Sequence, residues 1–257
     1  MSHSPSAPPL NPANAPSTRF FGGIGIAPGA HILDVGCGNG DLSRLMAGIA
    51  GAGGEVVAID RSEQALAAAR AMEALPGAAP IHYHAVDLSG DLPELGLFDA
   101  IVGRRVLMYL PDAAKTLARL VRLAKPGAIV AFQEHGRAGL PAGNGDLVLH
   151  RQLYDWNWST VAAEGGDVAL ALGLADMMRR VGLSVKETRA EAILLDPEQP
   201  SFLPTLTQAM LPRMVERGVA TAEQVDMATL PQRIEDEQRA AGGLIVWDLA
   251  VFVAGSA

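Results

Sequence analysis

Short apolar runs alternate with stretches of helical periodicity through the first half of the chain. His31–Val35 reads as a strand, followed by a glycine-rich turn. Asp41–Ala50 then reads as a helix, because Leu42, Leu45, Met46 and Ile49 recur at i, i+3, i+4 and i+7. Gly51–Gly54 ends it, and Glu55–Asp60 is the second strand. Ser62 is placed to cap the next helix, which the pattern carries to about Leu75, before Pro76-Gly77. Ile81–Val86 and Phe98–Gly103 read as the third and fourth strands. Asp112 opens a helix with Leu117, Leu120, Val121 and Ala124 on one face; Lys125-Pro126-Gly127 closes it, and Ala128–His135 is the fifth strand. Strands alternating with helices in this way predict βαβ units and a doubly wound sheet, an α/β fold.

The second half is less regular. Gly136–Gly145 is a glycine-rich loop, Val168–Val181 a helix, Ser184–Ala190 a strand and Leu244–Val253 a long apolar strand. Residues 191–243 have helical character, with the capping-box pattern Thr221-Ala222-Glu223-Gln224 and helix-interrupting prolines at Pro204, Pro212 and Pro231. They are expected to form an insertion capping the substrate site rather than an independent domain. Residues 1–17, rich in Pro, Ser, Ala and Asn, are expected to be a disordered leader, leaving 18–257 as a single domain.

Charge narrows the class of partner. The net charge of −8 is opposite in sign to what phosphate neutralisation needs, so no nucleic-acid partner is expected. No run approaches the roughly 20 apolar residues of a membrane span. Cys37 is the single cysteine, which excludes an internal disulfide framework and points to the cytoplasm. No His/Cys cluster has zinc-ligand spacing, so no metal is expected.

The most informative stretch is His31-Ile32-Leu33-Asp34-Val35-Gly36-Cys37-Gly38-Asn39-Gly40-Asp41. A strand delivers an acid, and three alternating glycines turn the chain into a helix. In a doubly wound sheet such a turn lies at the carboxyl ends of the strands, where ligands bind. A dinucleotide fingerprint starting at Gly36 would need glycine where Asp41 stands, and one starting at Gly38 would need it at Ser43. A P-loop would need a lysine that is missing. Asp34 and Asp41 would oppose a pyrophosphate and suit a ligand carrying an ammonium and a sulfonium. The second strand ends at Asp60, where a carboxylate can accept both ribose hydroxyls of an adenosine. The third ends Val86-Asp87-Leu88, where a carboxylate can accept an adenine amino group.

These residues resemble the class I S-adenosylmethionine-dependent methyltransferases, in particular the ubiquinone/menaquinone-biosynthesis-like and natural-product small-molecule group. The resemblance is close from about Phe21 to Ala138 and loose beyond. It runs through Leu33-Asp34-Val35-Gly36-Cys37-Gly38-Asn39-Gly40, then Asp60 and Val86-Asp87-Leu88. Phe98-Asp99-Ala100-Ile101-Val102-Gly103-Arg104-Arg105 and Lys125-Pro126-Gly127 complete it. It implies a Rossmann-like seven-stranded sheet of order 3-2-1-4-5-7-6 with an antiparallel last strand, here Leu244–Val253. It also implies S-adenosylmethionine as cofactor and S-adenosylhomocysteine as product. Carried over by position, Asp34, Gly36, Cys37, Gly38 and Gly40 would hold the methionine part. Asp60 with Arg61 would hold the ribose, and Asp87 and Leu88 the adenine. Gly103 and Arg104 would close over the sulfonium side. Relatives commonly have a lid helix before the first strand, for which the Pro-rich leader leaves little room; the insertion or a second subunit would then supply the lid.

The expected activity is methyl transfer to a small organic acceptor, at oxygen or nitrogen rather than carbon, by a monomer or homodimer. A base is needed only where the acceptor must lose a proton. His135 and Glu134, at the carboxyl end of the fifth strand, are the candidates for base or substrate-orienting group. Tyr109, Trp156 and Trp158 are candidates for the acceptor pocket. Two other readings stay open: a non-methylating reaction such as cyclisation or elimination on the same cofactor, and a binding partner without turnover.

Overall fold

The computed structural model describes residues 15–257. The expected leader falls mostly on residues 1–14, outside the described residues. Ala15–Ser17 instead begin a helix, α1 (Ala15–Gly23), which buries Phe20 and Phe21. The Phe20 ring centroid lies 4.9 Å from that of Phe252 on the sheet, so a helix does precede the first strand despite Pro16. Proline is accommodated because the first-turn N–H needs no helical acceptor.

Parallel strands β1 (His31–Val35), β2 (Glu55–Asp60), β3 (Ile81–Ala85), β4 (Phe98–Arg104) and β5 (Ala124–His135) alternate with α2 (Asp41–Ala50), α3 (Glu63–Arg70) and α4 (Ala113–Val121). Ser62 caps α3, its hydroxyl accepting from Ala65 N at 3.2 Å, and Asp112 caps α4 through Lys115 N at 2.9 Å. After β5 come α5 (Val148–Ala163), α6 (Leu170–Arg180) and β6 (Ser184–Leu195). Then α7 (Leu203–Glu216), α8 (Ala222–Val225) and α9 (Leu230–Ala241) lead to β7 (Ile245–Ser256). The sheet order is β3-β2-β1-β4-β5-β7-β6, with β7 antiparallel to both neighbours.

Strand alternation sends neighbouring side chains to opposite layers. Leu33, Val35, Ile59, Ile101, Val130 and Phe132 pack under α4, α5 and α6. Ile32, Val56, Val102, Ala131 and Phe252 pack under α1 and α2 with Phe20, Leu42 and Met46. Three boundaries differ from expectation. α3 stops at Arg70, β5 begins at Ala124, and β6 continues to Leu195, so the helical insertion starts beyond it. The expected capping box at α8 forms in both directions, while Pro204 and Pro231 sit in the first turns of α7 and α9 rather than breaking them.

Candidate active site

The loop after β1 packs against the turn after β4 at the carboxyl edge of the sheet. A Cβ on Gly36, where φ is +68°, would lie 2.4 Å from Val106 Cγ2, so only glycine lets the two segments meet. At Gly38 an added Cβ would meet nothing, so that side of the loop is open. The acid of β2 shapes the loop: Gly38 N donates to Asp60 Oδ2 at 2.9 Å, and Ser62 N to Oδ1 at 2.8 Å. Each carboxylate oxygen keeps a lone pair for a further donor. Asp34 is fully buried, with Ser43 Oγ donating to its Oδ2 at 2.6 Å and its Oδ1 unpartnered. Burial pushes its carboxyl up to about 7, against the Ser43 hydrogen bond and the nearby Arg104 charge. Burial likewise pushes the Cys37 thiol far up; it is no nucleophile near neutrality. Asp87 is exposed, its Oδ1 taken by Ser89 N and Oγ, whereas Leu88 lies in the core.

Beside this loop, toward β5 and β7, a cavity of about 230 Å3 opens. Met108, Trp158, Val161, Phe202, Met210 and Trp247 form most of its apolar wall. Its polar groups include Arg104, Arg105, Tyr109, Asn157, His135 and Asp248. His135 Nδ1 lies 2.9 Å from Asp248 Oδ2 on β7, and its Nε2 lies 3.2 Å from Gln133 Nε2. Ser17 Oγ donates to Gln133 Oε1 at 2.5 Å. With its oxygen taken by Ser17, Gln133 turns its amide N–H to the imidazole, so Nε2 is the unprotonated nitrogen and Nδ1–H donates to Asp248.

A sequence profile described as "Methyltransferase domain" matches residues 26–170, more than half of the chain. The chain belongs to this family. A ubiquinone biosynthesis O-methyltransferase of Aromatoleum aromaticum is 37% identical over 109 residues, 42% of this chain and 45% of that protein. The chain spans about half the length of the curated relatives it matches. A solved structure titled a putative methyltransferase from Bacillus halodurans C-125 superposes with a TM-score of 0.59 at 14% identity, over 94% of this chain and 99% of that one. The [4+2]-cyclase SpnF has a TM-score of 0.50 at 20% identity, over 90% and 76%. The fold is therefore that of the class I S-adenosylmethionine-dependent methyltransferases, and this architecture alone does not select the reaction.

In this methyltransferase domain the residues anticipated for the cofactor, Asp34, Gly36–Gly40 and Asp60, converge on one loop, with Gly103 and Arg104 across from it. Arg61 follows Asp60 on an exposed turn. Arg104 pairs with Asp41 at 3.5 Å. Two anticipated residues lie elsewhere. Glu134 points away from the cavity, because β5 alternates and Gln133 and His135 take the cavity side; its Oε1 accepts Val106 N at 3.0 Å and Leu107 N at 2.8 Å. Trp156 also misses the cavity. The helical pitch of α5 puts Tyr154, Asn157, Trp158 and Val161 on that face instead. Asp248, Gln133, Ser17, Asn157, Trp247 and Arg105 also line the cavity and were not among the residues anticipated from the sequence. The available signal for Asp248 was a lone carboxylate inside an apolar strand, which needs a partner.

Proposed function

We propose that the chain binds S-adenosylmethionine at the Gly36–Gly40 loop and transfers its methyl group to a hydroxyl of a small organic acceptor held in the adjoining cavity. The cofactor supplies an electrophilic methyl on a sulfonium. The residues present suit it. Asp34 offers a buried, unpartnered acceptor next to the loop, Asp60 has lone pairs left for two hydroxyls, and Gly38 leaves open space. The activity for which these relatives are named, O-methylation in ubiquinone biosynthesis, supports oxygen as the methylated atom.

The observation that carries the reading is the His135–Asp248 pair on the cavity wall. Once the Gln133 amide swings off Nε2, the freed lone pair can take the hydroxyl proton as oxygen turns nucleophilic. Asp248 then holds the imidazolium through Nδ1–H. A half-turn of the Gln133 amide would present Oε1 to the new Nε2–H, with Ser17 switching from donor to acceptor. Aligning acceptor and methyl group supplies the rest of the rate. The negative net charge and single cysteine support a cytoplasmic enzyme without a nucleic-acid partner. Among the described residues no helix is long and apolar enough to cross a membrane.

The test is calorimetric titration with S-adenosylhomocysteine, using Asp60→Ala as the control, followed by a screen of hydroxylated small molecules for S-adenosylhomocysteine release. Binding that Asp60→Ala loses, with turnover that His135→Ala loses, is the expected result. A folded protein that binds neither form of the cofactor refutes the reading.

A further inference from the structure

The wall of the acceptor cavity carries an exposed arginine, Arg105, whose guanidinium forms no ion pair among the described residues. Of the charged groups on its wall, Asp248 is held by His135 and by Leu249 N, and Arg104 is paired with Asp41. Arg105 differs. Its backbone N donates to Gln133 O at 2.8 Å, but its guanidinium has no hydrogen-bond or ion-pair partner among the described residues. The nearby acid, Glu134, feels the Arg105 charge but makes no ion pair with it: it is fully buried beneath the turn, with Oε1 accepting Val106 N and Leu107 N.

The backbone at this position is costly for the residue it carries. Arg105 has φ +56°, one of two non-glycine residues in the left-handed region among the described residues. Glycine would occupy that conformation at no steric cost, whereas a residue with a Cβ is strained there. The turn carries an arginine there regardless, and places it on the cavity wall.

The rest of the wall indicates what that charge meets. A closed apolar cavity of about 150 Å3 takes up one benzene molecule, so 230 Å3 suits a single substituted ring. Trp158, Trp247, Met108 and Phe202 offer flat and apolar surface for it. Asn157 adds a buried Oδ1 without a partner, which a second polar substituent on the ring can satisfy.

We propose that Arg105 binds a carboxylate on the methyl acceptor, so that the acceptor is a ring-sized hydroxy acid with its hydroxyl at His135 and its carboxylate on the Arg105 guanidinium. A single free guanidinium matches a single negative charge, and its planar fork matches a carboxylate. This proposal rests on the methyl-transfer reading, and its test separates the two.

With the protein saturated by S-adenosylhomocysteine, calorimetry would compare 4-hydroxyphenylacetate with 4-hydroxyphenylacetamide, and 3-(4-hydroxyphenyl)propionate with its amide. Each pair differs in charge and hardly in shape. At least one acid should bind about tenfold or more tighter than its amide, equivalent to about 1.4 kcal/mol. Arg105→Asn, whose side chain tolerates the left-handed backbone, should bring that ratio to about one while leaving S-adenosylhomocysteine affinity unchanged. Equal affinities within both pairs, no measurable binding of any of the four, or a preference that survives Arg105→Asn overturns the assignment. Failure of S-adenosylhomocysteine itself to bind would instead strike the methyl-transfer reading, and this proposal with it.

Discussion

Asp34 and Glu134 are fully buried carboxyl groups, each with one oxygen hydrogen-bonded and the other unpartnered. Burial pushes Glu134 from its ordinary 4.5 up to about 7, although hydrogen bonds from Leu107, Val106 and Met108 N–H and the Arg105 charge pull the other way. Between those values the folded chain keeps a proton that the unfolded chain has released. Stability from this group is therefore complete below the ordinary value and lost as pH rises toward and through about 7. Asp34 shifts in the same direction. Glu134→Gln keeps an oxygen for Val106 and Leu107 and cannot ionise. Its thermal unfolding should lose less stability than wild type between about pH 5 and pH 8, by on the order of 2 kcal/mol. Parallel curves would show that Glu134 does not titrate in that window. His135 belongs to the same scale. His135→Ala should lower kcat by about 10²–10⁴-fold, the usual contribution of a positioned base, without weakening S-adenosylhomocysteine binding. Asp248→Asn should cost less rate than His135→Ala, because the imidazole loses the carboxylate that orients it while the base itself remains. A kcat unchanged in Asp248→Asn would leave Asp248 as a strand anchor.

Helices α5, α7 and α9 form a group whose contacts are made by a few charged side chains. Glu237 on α9 accepts Leu149 N and His150 N at the start of α5, both at 2.9 Å, and lies 2.5 Å from His150 Nδ1. It stands in for a missing cap, since Leu147 gives α5 no side-chain cap. Burial alone would raise its pKa, but the His150 contact and the two N–H bonds hold it below the ordinary value. Its contribution is thus present above the ordinary carboxylate value and fades as pH falls below it. Glu237→Ala unpairs His150, which is fully buried, and should cost about 2–4 kcal/mol; Glu237→Gln should recover part of it. A melting point unchanged in the alanine variant would show that α9 docks by its apolar face alone. Arg213 and Glu164 tie α7 to the end of α5 in the same way, with Nε donating at 2.8 Å. These pairings explain which elements the sequence could and could not reveal. β1 to β5 and α2 to α4 are legible because the strands are short apolar runs, the helices repeat with helical spacing, and turn or cap signals separate them. α5 is not, because its buried face includes His150 and Thr160 and its first residue, Val148, is exposed. The cofactor loop was legible for the reason β1 was: its chemistry is local in sequence. The acceptor site was not, because Ser17, Gln133, Asn157 and Asp248 meet only through α1, α5 and the antiparallel return of β7.

The two sites share one wall, and that makes the whole molecule the unit of the last prediction. Between β4 and α4, the turn through residues 104–109 touches both. Arg104 reaches Asp41 at the cofactor helix, and Val106 packs where a Cβ on Gly36 would fall. Arg105, Met108 and Tyr109 line the acceptor cavity. A ligand that orders the loop should therefore stabilise the entire domain, because the loop's neighbours are core strands rather than a detachable flap. At about 100 times its dissociation constant, S-adenosylhomocysteine should add about 2.7 kcal/mol, which for a chain of this size raises the melting point by about 5–10 °C. Asp60→Ala should lose most of that shift by removing the anchor of Gly38 N. Gly36→Ala should lose it too, through the collision with Val106 and a left-handed backbone. Trp158→Ala, which alters only the acceptor cavity, should melt lower without ligand yet keep the same upward shift. If Trp158→Ala loses the shift while Asp60→Ala retains it, the ligand binds in the cavity between α5 and α7, and the glycine loop is a turn of the fold rather than its cofactor site.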